Sequence, residues 1–184
     1  VILINYGDFI MQHDIPMKPY GPTAGRDHLE DSPRPKTTTV DFHIHMRITA
    51  ADDLIGSQIP DDSNVQLRFA DEASKQQTLK HHQEREPYLI NIDHRLPDMK
   101  DMQVDVAAVS CAPRQFYYST DPSLGHESSQ IVNDGIAANI KDYKGSHVGL
   151  GTVPLQDTDL AIKEMKRCIN ELGFKGLQIG ARVT

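Results

Sequence analysis

The sequence predicts an α/β fold in which strands alternate with helices in the order β-α-β-α-β-α-β. Runs at 104–110 and 147–153 are almost wholly apolar or small, which is typical of parallel strands covered on both faces. Two histidines, His43 and His45, stand at the carboxyl end of the first predicted strand, where barrel proteins carry their functional side chains. These observations favour the first four strands of a (β/α)8 TIM-barrel type fold. The alternative, a doubly wound open sheet, lacks the GxGxxG motif that would support a dinucleotide site.

The chain divides into an arm and a half-barrel. Residues 1–36 contain several prolines and glycines and are predicted to form an irregular N-terminal arm. Residues 37–184 are predicted to form the half-barrel, beginning with a strand at 38–46. Within it, residues 47–92 are polar with weak periodicity, so we expect a long insertion or loop after strand one.

The pattern becomes regular after residue 92. Asp93 is expected to begin a short helix, and Asp157 is a predicted N-cap. The helix after Asp157 is expected to bury a stripe that includes Met165, Cys168 and Ile169. The remaining predicted elements are a strand at 104–110, a helix at 127–143, a strand at 147–153 and a strand at 174–180.

The histidine pair is the strongest chemical signal in the chain. Side chains two apart on a strand lie on one face, so His43 and His45 can offer two imidazoles to one metal ion. Phe42 and Ile44 are expected to point the other way, towards the helices. Asp41 lies two residues before His43, so it is expected to share the histidine face and orient a ligand imidazole from the second shell.

Composition limits the remaining classes of partner. The net charge is -7 without a large basic patch, which argues against nucleic acid and anionic membrane surfaces. No apolar run approaches the roughly 20 residues that span a bilayer. The two cysteines, Cys111 and Cys168, show no CxxC spacing, so we expect a reducing cytoplasm and a buried structural role for Cys111. The adjacent His81 and His82 are expected on a solvated charged face rather than at a metal.

Several segments together resemble a known family. Asp41-Phe42-His43-Ile44-His45 resembles the HxH motif of the metal-dependent amidohydrolase superfamily, in the branch that includes aminocarboxymuconate-semialdehyde decarboxylase. The chain is similar only to the N-terminal half of the proteins in that family. The other segments that carry the resemblance are Arg95–Met99, Val109–Pro113 with Phe116 and Tyr118, Gly149–Gln156 and Ala161–Gly180.

The resemblance implies a (β/α)8 barrel that binds one divalent ion, most often Zn²⁺, with Mn²⁺ as the other candidate. It implies that His43 and His45 are ligands, and that the other ligands and the acid/base histidine lie beyond Thr184. The implied activity is metal-dependent, non-oxidative decarboxylation of a small unsaturated or aromatic carboxylic acid, that is, a carbon–carbon lyase. Two alternatives stay open: a metal-dependent hydrolase on the same scaffold, or a truncated and catalytically incomplete chain.

The resemblance also suggests substrate contacts. Phe116 and Tyr117, with Tyr118, occupy a strand-to-helix loop and could form a pocket wall; packing of the loop is the alternative. Relatives place a carboxylate-binding arginine in the segment after strand one, where this chain aligns non-basic residues. The arginines that could bind the carboxylate instead are Arg85, Arg68 and Arg182. Relatives are often dimers, so a homodimer is a candidate assembly here.

Overall fold

The computed structural model describes residues 36–58 and 70–181, and its centre is a four-stranded parallel sheet. The strands pair in the order of the chain, each with the next. Helices connect them, which confirms the predicted α/β class and the arrangement of the first four strands of a (β/α)8 barrel. The strands are β1 (Val40–Met46), β2 (Val106–Cys111), β3 (His147–Gly151) and β4 (Gly176–Leu177). Almost all of the predicted arm, 1–36, lies outside the described residues.

Five α-helices of the described chain connect these strands. Three of them, α1 to α3, lie between β1 and β2, and the other two follow β2 and β3. Within the described part of the chain, no helix is long and apolar enough to cross a membrane. The helices are α1 (Thr49–Ile55), α2 (Glu72–Ile90), α3 (Leu96–Asp101), α4 (Pro122–Ile140) and α5 (Thr158–Asn170).

The segment 47–92, expected to be a long insertion or loop, is largely helical in the part that the structure describes. Helix α1 follows β1 almost directly, and α2 occupies most of the second half of the segment. Helix α2 begins where the Asp71 side chain accepts a hydrogen bond from the Ser74 N–H at 2.7 Å. None of its residues is buried, so its sequence carries no apolar stripe that would reveal a helix. Residues 59–69 lie outside the description.

The observed bounds of other elements also differ from the predicted ones. The helix predicted at 127–143 begins at Pro122, because Asp121 caps it and proline is favoured at the first helical position. The strand predicted at 174–180 is hydrogen-bonded as a strand only at Gly176–Leu177. Phe42, which was expected to pack under helices, is 72% exposed.

The core lies between the sheet and helices α1, α4 and α5. Two glycines of β3 set its thickness, because a Cβ on Gly149 would lie 2.4 Å from the Phe174 ring and one on Gly151 would lie 2.6 Å from Cys168 Sγ. Their small size therefore serves close packing of β3 against α5 and the chain that follows it. The buried members of the core are Met46, Ala51, Ile55, Ile92, Val109, Cys111, Tyr117, Val132, Ile136, Cys168 and Phe174.

Helix α5 buries only part of the predicted stripe, since Cys168 is fully buried. Met165 and Ile169 are 38% and 43% exposed, whereas Glu164 is fully buried. The Glu164 carboxylate accepts hydrogen bonds from Arg167 and from the Asn133 amide of α4, so its burial is compensated. Hydrophobicity alone placed Met165 and Ile169 inside because this buried polar contact has no periodic signature.

Candidate metal centre

The two histidines of β1 converge on one point. Their Nε2 atoms lie 3.0 Å apart, and the ring centroids are 4.6 Å apart at an interplanar angle of 85°. His45 is half-buried and His43 is exposed, so one imidazole is anchored in the sheet while the other faces solvent. The pair presents two nitrogen donors at the carboxyl end of the first strand.

Strand β2 fixes the orientation of the His45 ring. Nδ1 lies 2.8 Å from the Cys111 carbonyl oxygen and 3.2 Å from Ser110 Oγ, whose hydroxyl donates to the Ile44 carbonyl at 3.0 Å. A carbonyl can only accept, so the proton of the neutral ring is on Nδ1 and Nε2 keeps its lone pair. Burial lowers the pKa of His45 and further favours the neutral ring. The ligand form of His45 is therefore set by its neighbours.

The spacing of the pair suits a divalent ion. Two ligand atoms about 2.1 Å from one ion, at angles between octahedral and tetrahedral, lie roughly 3.0–3.4 Å apart. The separation of 3.0 Å between the two Nε2 atoms falls at the edge of that range. Among the described residues no group of three or more His, Cys, Asp or Glu side chains could hold a metal ion. The described chain thus supplies two converging ligands of a candidate site.

Asp41 contacts the backbone of the histidine pair. The pairing of β1 with β2 shifts by one residue, since Asp41 lies opposite Ala107 whereas Ile44 lies opposite Val109. This irregularity lies within the span over which the prediction assumed regular alternation. The Asp41 carboxylate accepts from the backbone N–H of His43 at 3.0 Å and makes no described hydrogen bond to an imidazole. It therefore stabilises the local backbone that presents His43.

The aromatic loop after β2 splits into different roles. Phe116 and Tyr118 stack with centroids 5.4 Å apart, and the Tyr118 hydroxyl accepts from the Gly180 N–H at 3.1 Å. Phe116 is half-buried, so it keeps an exposed part of its ring. Tyr117 is buried and its hydroxyl donates to Asp52. Burial, followed by that bond, raises the pKa of Tyr117. The structure favours loop packing for Tyr117 and leaves Phe116 as the candidate pocket wall.

The arginines expected near the substrate are only partly described. Arg85 is exposed on α2, whereas Arg68 and Arg182 lie outside the described residues. His82, one turn before Arg85, has its pKa lowered by burial and then by the nearby charge of Arg114. His82 is exposed and His81 is partly exposed on α2, which fits the expected charged surface.

Two polar side chains near the site gave no signal in the sequence. Gln115 is buried in the loop after β2 and bonds to the chain that leaves β1. Asp52 accepts from Arg47 Nε at 2.6 Å, and Arg47 also reaches Glu86 of α2 at 2.9 Å. An isolated glutamine between two elements has no periodic or motif signature, so only the folded chain reveals its contacts.

Comparisons with known proteins give the family context. No family model matches the chain. It is 36% identical over 91 residues to 2-amino-3-carboxymuconate-6-semialdehyde decarboxylase from Dictyostelium discoideum, a match over 50% of this chain and 25% of that protein. It is 27% identical over 84 residues to gamma-resorcylate decarboxylase from Polaromonas sp., over 46% of this chain and 26% of that protein. The chain thus covers about a quarter of the length of these relatives.

A solved structure shares the fold. Over 80% of this chain and 43% of the other, it resembles 5-carboxyvanillate decarboxylase from Novosphingobium aromaticivorans with a TM-score of 0.61 and 21% identity. That structure was determined with manganese and 4-hydroxy-3-methoxy-5-nitrobenzoic acid. The partial coverage fits the N-terminal half that the order of the strands implied. The chain is therefore similar in sequence to decarboxylases of carboxymuconate semialdehyde and resorcylate, and it shares the fold of the solved carboxyvanillate enzyme.

Proposed function

We propose that this chain contributes the first half of a metal-dependent, non-oxidative decarboxylase that acts on a small unsaturated or aromatic carboxylic acid. The observation that carries the proposal is the convergence of His43 Nε2 and His45 Nε2 at 3.0 Å, with the second ring held in its ligand form. Relatives named for decarboxylation of carboxymuconate semialdehyde and resorcylate support the reaction class. Because the match spans a quarter of those relatives, activity is assigned to the whole protein.

The ion would be held by His43 and His45 together with ligands from outside the described chain. When bound, it would polarise a substrate oxygen and lower the pKa of a bound water. Manganese in a structural neighbour supports a divalent ion, and Zn²⁺ and Mn²⁺ are both candidates. The coarser statement, a divalent metal, is the part on which the proposal depends.

The chain's own residues would orient the two partners of the reaction. Ser110 and the Cys111 carbonyl keep the Nδ1 proton of His45 in place, so that the lone pair of Nε2 stays directed outward. The half-buried Phe116, stacked on Tyr118, would offer its exposed part to a flat acid. In the reaction the bond to the carboxylate breaks, carbon dioxide leaves, and the ring or vinyl carbon takes a proton.

Metal content and carbon dioxide release test the proposal. Purified protein would be supplied with Zn²⁺ or Mn²⁺ and assayed with 2,6-dihydroxybenzoate, 5-carboxyvanillate and aminocarboxymuconate semialdehyde. We expect bound metal that falls in His43→Ala and His45→Ala variants. His94→Ala, which removes another exposed imidazole, is the matched control. Carbon dioxide release is expected when the protein includes the remaining ligands.

Two results would redirect the proposal. Release of a hydrolysis product from ester or lactone substrates, without carbon dioxide, would favour the hydrolase alternative. Metal binding that His43→Ala and His45→Ala leave unchanged would refute the site. Since the described residues supply two ligands, metal binding without turnover in the 184-residue chain would support the catalytically incomplete alternative. A homodimer and a cytoplasmic location stay predictions.

A further inference from the structure

Gln115 is a buried amide with every hydrogen-bonding group in use. It is 2% exposed. Its Oε1 accepts from the Ile48 N–H at 3.0 Å, and its Nε2 donates to the Ile48 carbonyl at 2.7 Å and to Asp52 Oδ1 at 3.0 Å. A side chain thus gives the backbone of Ile48 one donor and one acceptor, as a neighbouring strand would.

The side chain replaces a strand that has turned away. The last backbone bond between the exits of β1 and β2 runs from the Ala112 N–H to the Met46 carbonyl at 2.8 Å. Pro113, which has no N–H, then begins a 3-10 turn that takes β2 out of the sheet. Two residues beyond Met46, the Ile48 N–H has Gln115 Oε1 as its described partner, and the Ile48 carbonyl accepts from Gln115 as well as from the Ala51 N–H at 3.0 Å.

This amide closes a ring of hydrogen bonds beside the candidate metal ligand. The Gln115 N–H donates to the Ala112 carbonyl at 2.8 Å, so Ala112, Gln115, Ile48 and Met46 form one connected unit. His45 immediately precedes Met46 on one side of this unit. On the other side, the carbonyl that holds the His45 ring belongs to Cys111, directly before Ala112. A slip between the two strand exits would therefore change the distance between the ring and its acceptor.

We propose that Gln115 is a positioning residue for the His43–His45 pair, which keeps the exits of β1 and β2 in the register that orients the His45 ring. The inference rests on the proposed metal site and names a residue that controls its affinity. Gln115 acts by holding the two strand exits in alignment, without touching the metal or the substrate.

The chain contains a matched control at the exit of β3. The Asn133 amide donates to the Thr152 carbonyl and accepts from the Thr152 N–H, both at 2.8 Å. It is a buried amide that bonds both backbone groups of the chain leaving a strand, as Gln115 does. Thr152 follows β3, whereas the histidine pair lies on β1. Loss of this amide therefore removes the same kind of contact at a strand that carries no candidate ligand.

The experiment compares Gln115→Met with Asn133→Leu in the 184-residue chain. Zn²⁺ alone is titrated by calorimetry, and a variant with both His43→Ala and His45→Ala measures zinc held elsewhere. We expect the zinc Kd of Gln115→Met to rise about tenfold, as for other residues that orient ligands, while that of Asn133→Leu stays unchanged. Both variants are expected to lose stability. If Gln115→Met does not fold, Gln115→Glu, which keeps the acceptor for the Ile48 N–H, takes its place.

A second readout does not need metal. Nitrogen-detected NMR of metal-free protein reports which ring nitrogen of His45 carries the proton. We expect one Nδ1–H form in the unmodified chain and in Asn133→Leu, and a mixture in Gln115→Met. Equal zinc affinity and an unchanged His45 form in Gln115→Met would overturn the proposal. If the unmodified 184-residue chain binds no zinc, its two imidazoles do not hold the ion by themselves, and Gln115 is judged on the NMR result alone.

Discussion

Replacement of Arg167 by methionine tests whether the buried Glu164 depends on its ion pair. The Glu164 carboxylate, fully buried, accepts from Arg167 Nε at 2.9 Å and from Nη2 at 2.8 Å. Asn133 Nδ2 would remain as a donor at 2.7 Å. Arg167→Met therefore leaves a buried negative charge with the Asn133 amide and, at 3.8 Å each, the Cys168 thiol and His126 Nε2.

The expected loss is large for a single substitution. Removal of one partner from a buried ion pair costs about 3–5 kcal/mol, and the 19% exposure of the Arg167 side chain places the expectation near the lower end, about 3 kcal/mol. Arg167 also pairs with Asp134 at 2.6 Å, but the Asp134 side chain is 58% exposed, so that bridge contributes little. The loss is thus assigned to the Glu164 carboxylate, which loses its arginine partner.

Urea unfolding, followed by circular dichroism, measures the change in the free energy of unfolding. Glu164→Gln combined with Arg167→Met removes the charge as well as its partner, so we expect most of the loss to be recovered. Lys80→Met is the control, because it breaks an exposed pair on α2 that is 3.9 Å long. A loss in Arg167→Met of less than about 1 kcal/mol, or a double variant no more stable than the single one, would refute the reasoning.

Two further predictions concern packing and pH. Gly151→Ala is expected to lower the free energy of unfolding by about 1–3 kcal/mol, because the added Cβ would lie 2.6 Å from Cys168 Sγ. The control Gly176→Ala should cost less, because its Cβ would lie 3.4 Å from Leu150. Equal losses of the two variants in urea unfolding would contradict this prediction. Burial, then the charge of Glu164, raises the pKa of Cys168 from 9.0 to about 12, so the thiol stays protonated after unfolded thiols ionise. The contribution of this thiol to the free energy of unfolding is therefore complete below pH 9 and falls as pH rises towards 12. Ellman's reagent at pH 8 should react with Cys168 only in urea. Rapid reaction of the native protein would contradict the burial of Cys168.

Local patterns predicted the elements that bury apolar surface. The strands at β2 and β3 and the cap at Asp157 could be predicted because apolar runs and capping residues act over a few neighbouring positions. Helix α2 could not, since a helix with no buried residue needs no apolar stripe. The burial of Glu164 was also hidden, because its compensation comes from Asn133, which lies 31 residues away in the sequence.

The candidate site also combines features that the sequence could predict with features that it could not. The His43 and His45 spacing is local, so strand geometry alone was sufficient to expect two imidazoles on one face. The contact that Asp41 makes with the His43 N–H could not be predicted, because the irregular pairing of β1 with β2 depends on both strands.

The sequence by itself determined the α/β class, the order of its parallel strands and the His-x-His pair, all of which depend on short-range periodicity and residue chemistry. Only the tertiary structure decided which ring nitrogen of His45 is free. That choice depends on the Cys111 carbonyl, 66 residues further along the chain, and no local pattern encodes its position. The same holds for Gln115, whose amide acquires its partners only when two strand exits meet. Residue type sets what a side chain can donate or accept, and the fold sets which group receives it.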